Sequence, residues 1–340
     1  MHRFNYARPE NLSSAIALAS KFSGNDDLPT EAGTQFIAGG TNLADYMKLG
    51  VARPKYLLDL NGLVEASLRQ IKITDRSIRF GALVRMSEVA EREDIKSHCP
   101  VVAESLQLAA SGQLRNMASL GGNVLQRTRC EYFREISWPC NKRKPGSGCS
   151  AINGFNRQHA VLGTSDACIA TYHGDFAQAL IALDATVDIE GRRGSRALPF
   201  AYLHRLPGKT PNVETDLAAD EIITAIEVPL GPWSRRSRYL KIRDRQSYAF
   251  ALASAAVALD MDGNTVRQAR IALGGVATVP WRASPAEAVL KDKVLDEATA
   301  NEAAEAAFED AKPLAFNRFK IPLGKTTLMR ALLETRDMKA

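Results

Sequence analysis

Long hydrophobic runs are missing from this 340-residue sequence. None approaches the ~20 apolar residues that a bilayer span requires, so no membrane insertion is expected. The opening stretch MHRFNYARPENLSSAIALASKF also lacks a leader pattern. Its apolar part is short, interrupted and amphipathic, with Leu12, Ile16, Ala19 and Phe22 roughly on one helical face. The expectation is a chain with no signal peptide of its own. It would fold in the cytoplasm and reach the periplasm only if co-exported with a signal-bearing partner.

Close-set cysteine pairs are absent as well. Five cysteines, lopsidedly placed, do not make the disulfide framework of a small secreted domain. The common phosphate loops are missing too. There is no G-x-G-x-x-G, and GKTP (208–211) and GKTT (324–327) lack the upstream glycine of a Walker loop. His98, His159, His173 and His204 are scattered without ligand spacing, and His2 is terminal. The basic excess is mild, 44 basic against 38 acidic groups. Only NKRK (141–144) resembles a basic stripe, so no nucleic-acid partner is expected. No internal repeat or low-complexity tract occurs.

The chain is long enough for two or three domains. The first segment reads as a β-α-β unit after a helix over 12–22. FIAGGT (36–41) is a short strand entering a glycine turn, 43–49 is helical, and KYLLDL (55–60) is a strand closed by Asn61-Gly62. A hairpin follows over 71–80, then helices at 87–93 and 100–110. Asp175 is a good N-cap before FAQALIALD. Strands follow at 186–191, 196–200 and 221–229. GPWSRRS (231–237) marks a boundary. Beyond it, strands at 238–244, 251–260 and 265–277 precede an alanine-rich helical end.

Four of the cysteines, Cys130, Cys140, Cys149 and Cys168, lie in one segment rich in Pro, Gly and basic residues. The gaps are C-x9-C-x8-C-x18-C. Zinc knuckles and ferredoxin runs favour closer spacing. The spacing leaves open an iron–sulfur cluster, a zinc site, or unrelated thiols. Arg127, Arg129, Arg134, Lys142, Arg143 and Lys144 would offset the negative charge of a thiolate-bound cluster. Cys99 is expected to pack or to sit near the surface, and Tyr248 and Phe250 are expected to pack. Two glycine loops, IAGGTNL (37–43) and SLGGNVLQ (119–126), allow close backbone approach to a ligand. Together they fit one large ligand spread between two subdomains.

FIAGGTNLADYMKLGVARPKYLLDLNGL (36–63), GQLRNMASLGGNVLQ (112–126) and KIRDRQSYAFALASAAVAL (241–259) resemble the FAD-binding medium subunits of molybdenum hydroxylases. That is the xanthine dehydrogenase family, and the resemblance covers essentially the whole chain. RTRC, PCNKR, PGSGC and DACIAT resemble the inserted loop of its periplasmic aldehyde oxidoreductase branch, which carries a [4Fe–4S] cluster.

The resemblance implies an α+β fold. A vanillyl-alcohol-oxidase/p-cresol-methylhydroxylase-type FAD-binding unit of two α/β subdomains would precede a C-terminal domain of antiparallel sheet and helices. The divisions would be 1–62, 63–231 with an inserted iron–sulfur loop at 127–170, and 232–340. Ala38, Gly39, Gly40, Thr41, Asn42 and Leu43 would wrap the FAD pyrophosphate. Ala109, Ala110, Ser119, Gly121, Gly122 and Asn123 would touch the flavin. Asp175 would hold the adenosine end, Ile223 would sit by the flavin or adenine, and Lys241 would lie near the isoalloxazine ring. Cys130, Cys140, Cys149 and Cys168 would ligate the cluster. The function implied is an electron-transfer flavoprotein subunit of a heterotrimer or its dimer. A large molybdenum-cofactor subunit and a small subunit with two [2Fe–2S] clusters would be the partners, and electrons would leave to an external acceptor. A zinc-loop interaction module and a self-sufficient flavin oxidase are the alternatives.

Overall fold

The structure is a computed structural model that describes residues 1–24 and 27–339. Among the described residues, three sheets follow one another along the chain. The first is small and parallel, ordered β1-β3-β2, from β1 (Asn5–Ala7), β2 (Thr34–Ile37) and β3 (Tyr56–Asp59). Helix α1 (Leu12–Phe22) takes the expected span. Asn11 caps it, its side chain accepting from the Ser14 N–H. Helix α2 (Leu43–Lys48) crosses between β2 and β3. β2 ends before the glycines, so residues 38–42 form a loop rather than the end of a strand.

The second sheet is antiparallel, ordered β4-β5-β8-β6-β7. Its members are β4 (Ile71–Ile73), β5 (Ser77–Gly81), β6 (Thr186–Gly191), β7 (Gly194–Pro199) and β8 (Ile222–Pro229). Helices α3 (Met86–Ala90), α4 (Glu93–His98) and α5 (Pro100–Gln107) pack with it, with Ile78, Phe80, Val101, Val102, Leu106 and Phe176 fully buried. The polar segment after residue 111 is helical where no helix is expected, forming α6 (Gly112–Met117) and α7 (Leu120–Val124). Ser111 and Ser119 supply the side-chain caps that start them. The cysteine insertion holds only two single turns, α8 (Glu131–Arg134) and α9 (Ser150–Asn153). Helix α10 (Phe176–Ala182) then enters the core, buried along its whole length.

The third sheet, β12-β11-β10-β9, is antiparallel: β9 (Ser237–Ile242), β10 (Ala253–Asp262), β11 (Thr265–Gly274) and β12 (Trp281–Arg282). β10 and β11 meet through Gly263-Asn264, with Gly263 at φ +55°. Helices α11 (Ser284–Leu290), α12 (Glu297–Ala307) and α13 (Lys320–Arg336) cover one face, where alanines 300, 303, 304 and 331 let them approach the strands closely. No helix among the described residues is long and apolar enough to cross a membrane.

Candidate FAD and cysteine site

A cavity of about 870 Å³ opens between the first two sheets and reaches the third. That is at the upper end of the range for sites that hold cofactors. Ala38 through Leu43 line one wall, and Ala109, Ala110, Ser119, Gly121, Gly122 and Asn123 line another. Asp175 and Ile223 also face it, whereas Lys241 does not.

The two glycine walls differ in chemistry. Among the described residues, the backbone N–H groups of Gly39, Gly40, Thr41 and Asn42 have no hydrogen-bond partner. Consecutive free N–H groups in a turn with a positive φ at Gly40 (+71°) form an anion-binding concavity. In the second loop these groups are already engaged. Gly121 donates to the Ala82 carbonyl at 2.9 Å, and Gly122 to the Ser119 hydroxyl at 3.2 Å. That loop therefore offers a smooth surface rather than donors, and Ser119 acts as a helix cap. The walls touch at Gly39. A methyl group there would lie 2.1 Å from the Met117 carbonyl oxygen. Ala110 sits in the left-handed region at φ +50° on the cavity surface.

Residues that sequence reasoning missed hold the first loop in place. Asn61 donates to the Ala38 carbonyl at 2.8 Å. Its side-chain oxygen accepts from Arg85 at 3.0 Å, and Arg85 also donates to the Met117 carbonyl. Asp59 accepts from Asn61 and from the Tyr6 hydroxyl. The only signal was the Asp-Leu-Asn-Gly run, which reads as simple punctuation.

Asp175 and Lys241, assigned to opposite ends of the cofactor, form one ion pair at 2.8 Å. The lysine side chain is 0% exposed and the carboxylate 5%. Tyr239 donates to the other carboxylate oxygen at 2.7 Å, and Lys241 also donates to the Leu108 carbonyl at 2.9 Å. Burial raises the Asp175 carboxyl above its ordinary value, opposed by Lys241. The two residues thus brace the cavity floor together. The pairing sets the two side chains next to each other, with Asp175 on the cavity wall and Lys241 behind it.

The cysteine insertion borders the same cavity. Cys130 lines it, as do Arg127, Arg129, Arg134 and Lys142. Cys130, Cys140, Cys149 and Cys168 pack in one cluster with Tyr46, Met47 and Phe133, and all four are free thiols. Burial pushes the Cys130 thiol up to about 12 and Cys168 to about 11, and it raises Cys149. His159, expected to be incidental, stands 3.1 Å from the Cys130 sulfur through Nε2. Among the described residues, no three His, Cys, Asp or Glu side chains converge as a single ion requires.

Arg127, Arg129, Arg134, Lys142 and Arg143 all have partners. Arg127 binds Glu214 at 2.5 Å, with Lys142 3.8 Å away, and Arg129 and Arg134 bind Asp45. Arg143 donates to the carbonyls of Tyr132, Phe133, Ile136 and Trp138. These cations staple the segment, so less of their charge is left for the sulfurs than the sequence suggested. Tyr248 and Phe250, expected to pack, are 58% and 41% exposed and line the cavity. Phe250 lies edge-on to His173 at 4.7 Å. Cys99, for which the sequence left packing and a surface position both open, is buried.

Residues 2–231 match the model of the FAD binding domain in molybdopterin dehydrogenase, and 238–335 match the CO dehydrogenase flavoprotein C-terminal domain. The chain belongs to the FAD-binding subunits of the molybdopterin dehydrogenases. Within this family it is 44% identical to the aldehyde oxidoreductase FAD-binding subunit PaoB of Escherichia coli K12, covering 99% of each chain. It is 26% identical to the glyceraldehyde dehydrogenase medium chain of Sulfolobus acidocaldarius, over 99% of this chain and 96% of the relative. Reconstituted CO dehydrogenase from Oligotropha carboxidovorans shares the fold at a TM-score of 0.76 and 22% identity, with 98% of both chains covered. The α+β FAD-binding architecture and an oxidoreductase subunit are thereby established for the family member described here. The free N–H row and glycine-walled cleft fit FAD, whose pyrophosphate needs donors and whose rings need close, smooth walls.

Proposed function

We propose that this chain is the electron-transferring FAD subunit of a molybdenum-hydroxylase-type aldehyde oxidoreductase, and that Cys130, Cys140, Cys149 and Cys168 hold a [4Fe–4S] cluster. The observation that carries the reading is the shared wall: Cys130 borders the cleft that the free N–H row of Gly39–Asn42 makes suitable for a dinucleotide. Full-length identity with an aldehyde oxidoreductase subunit supports the substrate class of the assembly. Bound FAD supplies a carrier that takes electrons singly and releases them in pairs.

The chain's own residues bind and orient. Ala38–Leu43 hold the pyrophosphate, Gly121 and Gly122 leave room for the rings, and Ile223 adds an apolar contact. The Asp175–Lys241 pair keeps the floor rigid. Tyr248 and Phe250 form the aromatic rim toward solvent, where an external acceptor approaches. The four thiols suit an iron–sulfur cube better than zinc. Tetrahedral zinc at a Zn–S distance of about 2.3 Å draws its sulfurs to about 3.8 Å from one another, whereas a cube holds each thiolate on a different iron. Substrate oxidation belongs to a large molybdenum-cofactor partner, and a small partner with two [2Fe–2S] clusters delivers the electrons.

The test is anaerobic co-purification with those partners, followed by flavin, iron, sulfide and zinc analysis of the chain and of a Cys140→Ser variant. Stoichiometric FAD with iron and sulfide, both lost with Cys140, is the expected result. Zinc without sulfide, or no flavin, overturns the proposal.

A further inference from the structure

Helix α2 stands between the two cofactor sites. It begins directly after Asn42, the last of the free N–H groups. Asp45, its third residue, accepts from Arg129 at 2.8 Å and from Arg134. These two arginines flank Cys130 in the chain. The next residue, Tyr46, is 1% exposed and donates to the carbonyls of Thr128 and Arg127. Its ring lies edge-on to Phe133 at 5.6 Å, and the guanidinium groups of Arg129 and Arg134 sit 5.5 and 5.7 Å from its centroid. Met47 completes the contact, packed among the cysteines. One short helix is thus bonded at two successive residues, and packed at a third, to the backbone and side chains around Cys130, and its leading end is the loop that would cradle the pyrophosphate.

We propose that α2 couples the two sites, so that occupancy of the cysteine site and of the FAD cleft stabilise each other, with Asp45 as the positioning residue. This rests on the reading of the insertion as a cluster site. Bringing the four thiols onto a cluster fixes Cys130 and therefore Arg129 and Arg134, which set the position of Asp45 and the pitch of α2. The Asn42 end of the N–H row is continuous with that helix, while Asn61 and Met117 anchor the Gly39 end. An empty cysteine site loosens the Asn42 end and so weakens the grip of the row on its ligand. By linkage, the factor by which the cluster tightens FAD equals the factor by which FAD tightens the cluster. The carboxylate is the specific part, because it is shared by cations from both sides of Cys130, and an amide in its place carries no charge for either.

The experiment uses the assembled complex under anaerobic conditions. Iron loss to the chelator bathophenanthroline is followed for FAD-replete protein and for protein depleted of flavin by dialysis against bromide. Depletion is expected to speed iron loss about 10-fold, within the usual range of coupling between two sites. In Asp45→Asn the ratio falls below about 2-fold, and Asp45→Glu restores it. Should Asp45→Asn not fold, Arg134→Gln is read by the same ratio. Equal iron loss with and without FAD in the unaltered protein overturns the proposal, as does an unchanged ratio in the variants. Failure of the underlying reading is distinct: the starting protein would contain no iron or sulfide.

Discussion

Replacing Lys241 by methionine tests the brace beneath the cleft. The substitution keeps most of the side-chain volume and removes the charge, leaving the Asp175 carboxylate 5% exposed with Tyr239 as its remaining donor. At 2.8 Å, opposite unit charges attract by about 6 kcal/mol at an effective dielectric constant of about 20. Lost hydration offsets part of that, and stripping one partner from a buried pair costs about 3–5 kcal/mol in total. The loss should depend on pH. Burial already raises the Asp175 carboxyl, and without the lysine nothing of equal strength opposes it. In the variant the folded state therefore keeps the proton to higher pH than the unfolded chain. Stability is present below the unfolded value and falls as pH rises through the folded one. Urea unfolding of the FAD-loaded chain, followed by tryptophan fluorescence, should show the full penalty near about pH 8 and a smaller one near about pH 5. The companion Asp175→Asn/Lys241→Met protein should recover most of the difference. A penalty under about 1 kcal/mol at the higher pH, or the same penalty at both, refutes the argument.

Two further outcomes follow from the site. Gly39→Ala places a methyl group 2.1 Å from the Met117 carbonyl oxygen, and that neighbour is backbone that cannot turn aside. Flavin retained after ultrafiltration should fall at least about 10-fold, the consequence of moving the loop by a fraction of an ångström. His204 donates through Nε2 to the Val124 carbonyl at 2.9 Å, and burial pushes its pKa down to about 4. The unfolded chain thus binds the extra proton first, so the contribution of His204 is complete above about pH 6.5 and drains away as pH falls toward the folded value. His204→Gln should flatten the loss of stability between about pH 7 and pH 5 by about 1–2 kcal/mol, measured by urea midpoints.

Local pattern carried much of the fold. Asn11 and the 12–22 stripe specify α1, and Val187, Ile189 and their alternating neighbours specify β6, because cap chemistry and side-chain period act within a few residues. The segment after residue 111 resisted that reading. Its helices are only five or six residues long and depend on single serine caps, with little periodicity to detect. The cleft-lining residues were legible through the glycine loops and the family resemblance. Their division of labour was not, because it depends on which N–H groups find partners across the fold, such as Gly121 on Ala82. The Asp175–Lys241 pairing joins positions 66 residues apart, and so does not register in any local window. The same is true of the capture of Arg129 and Arg134 by Asp45.

The contact between Gly39 and Met117 bears on how the flavoprotein acquires its prosthetic group. A clamshell opens along a seam where side chains can slide. Here main chain abuts main chain, and that edge has no slack. A long guest would then be enclosed as the two lobes come together during maturation rather than swapped afterwards. Radiolabelled flavin added to the finished protein should exchange far more slowly than it is taken up during refolding.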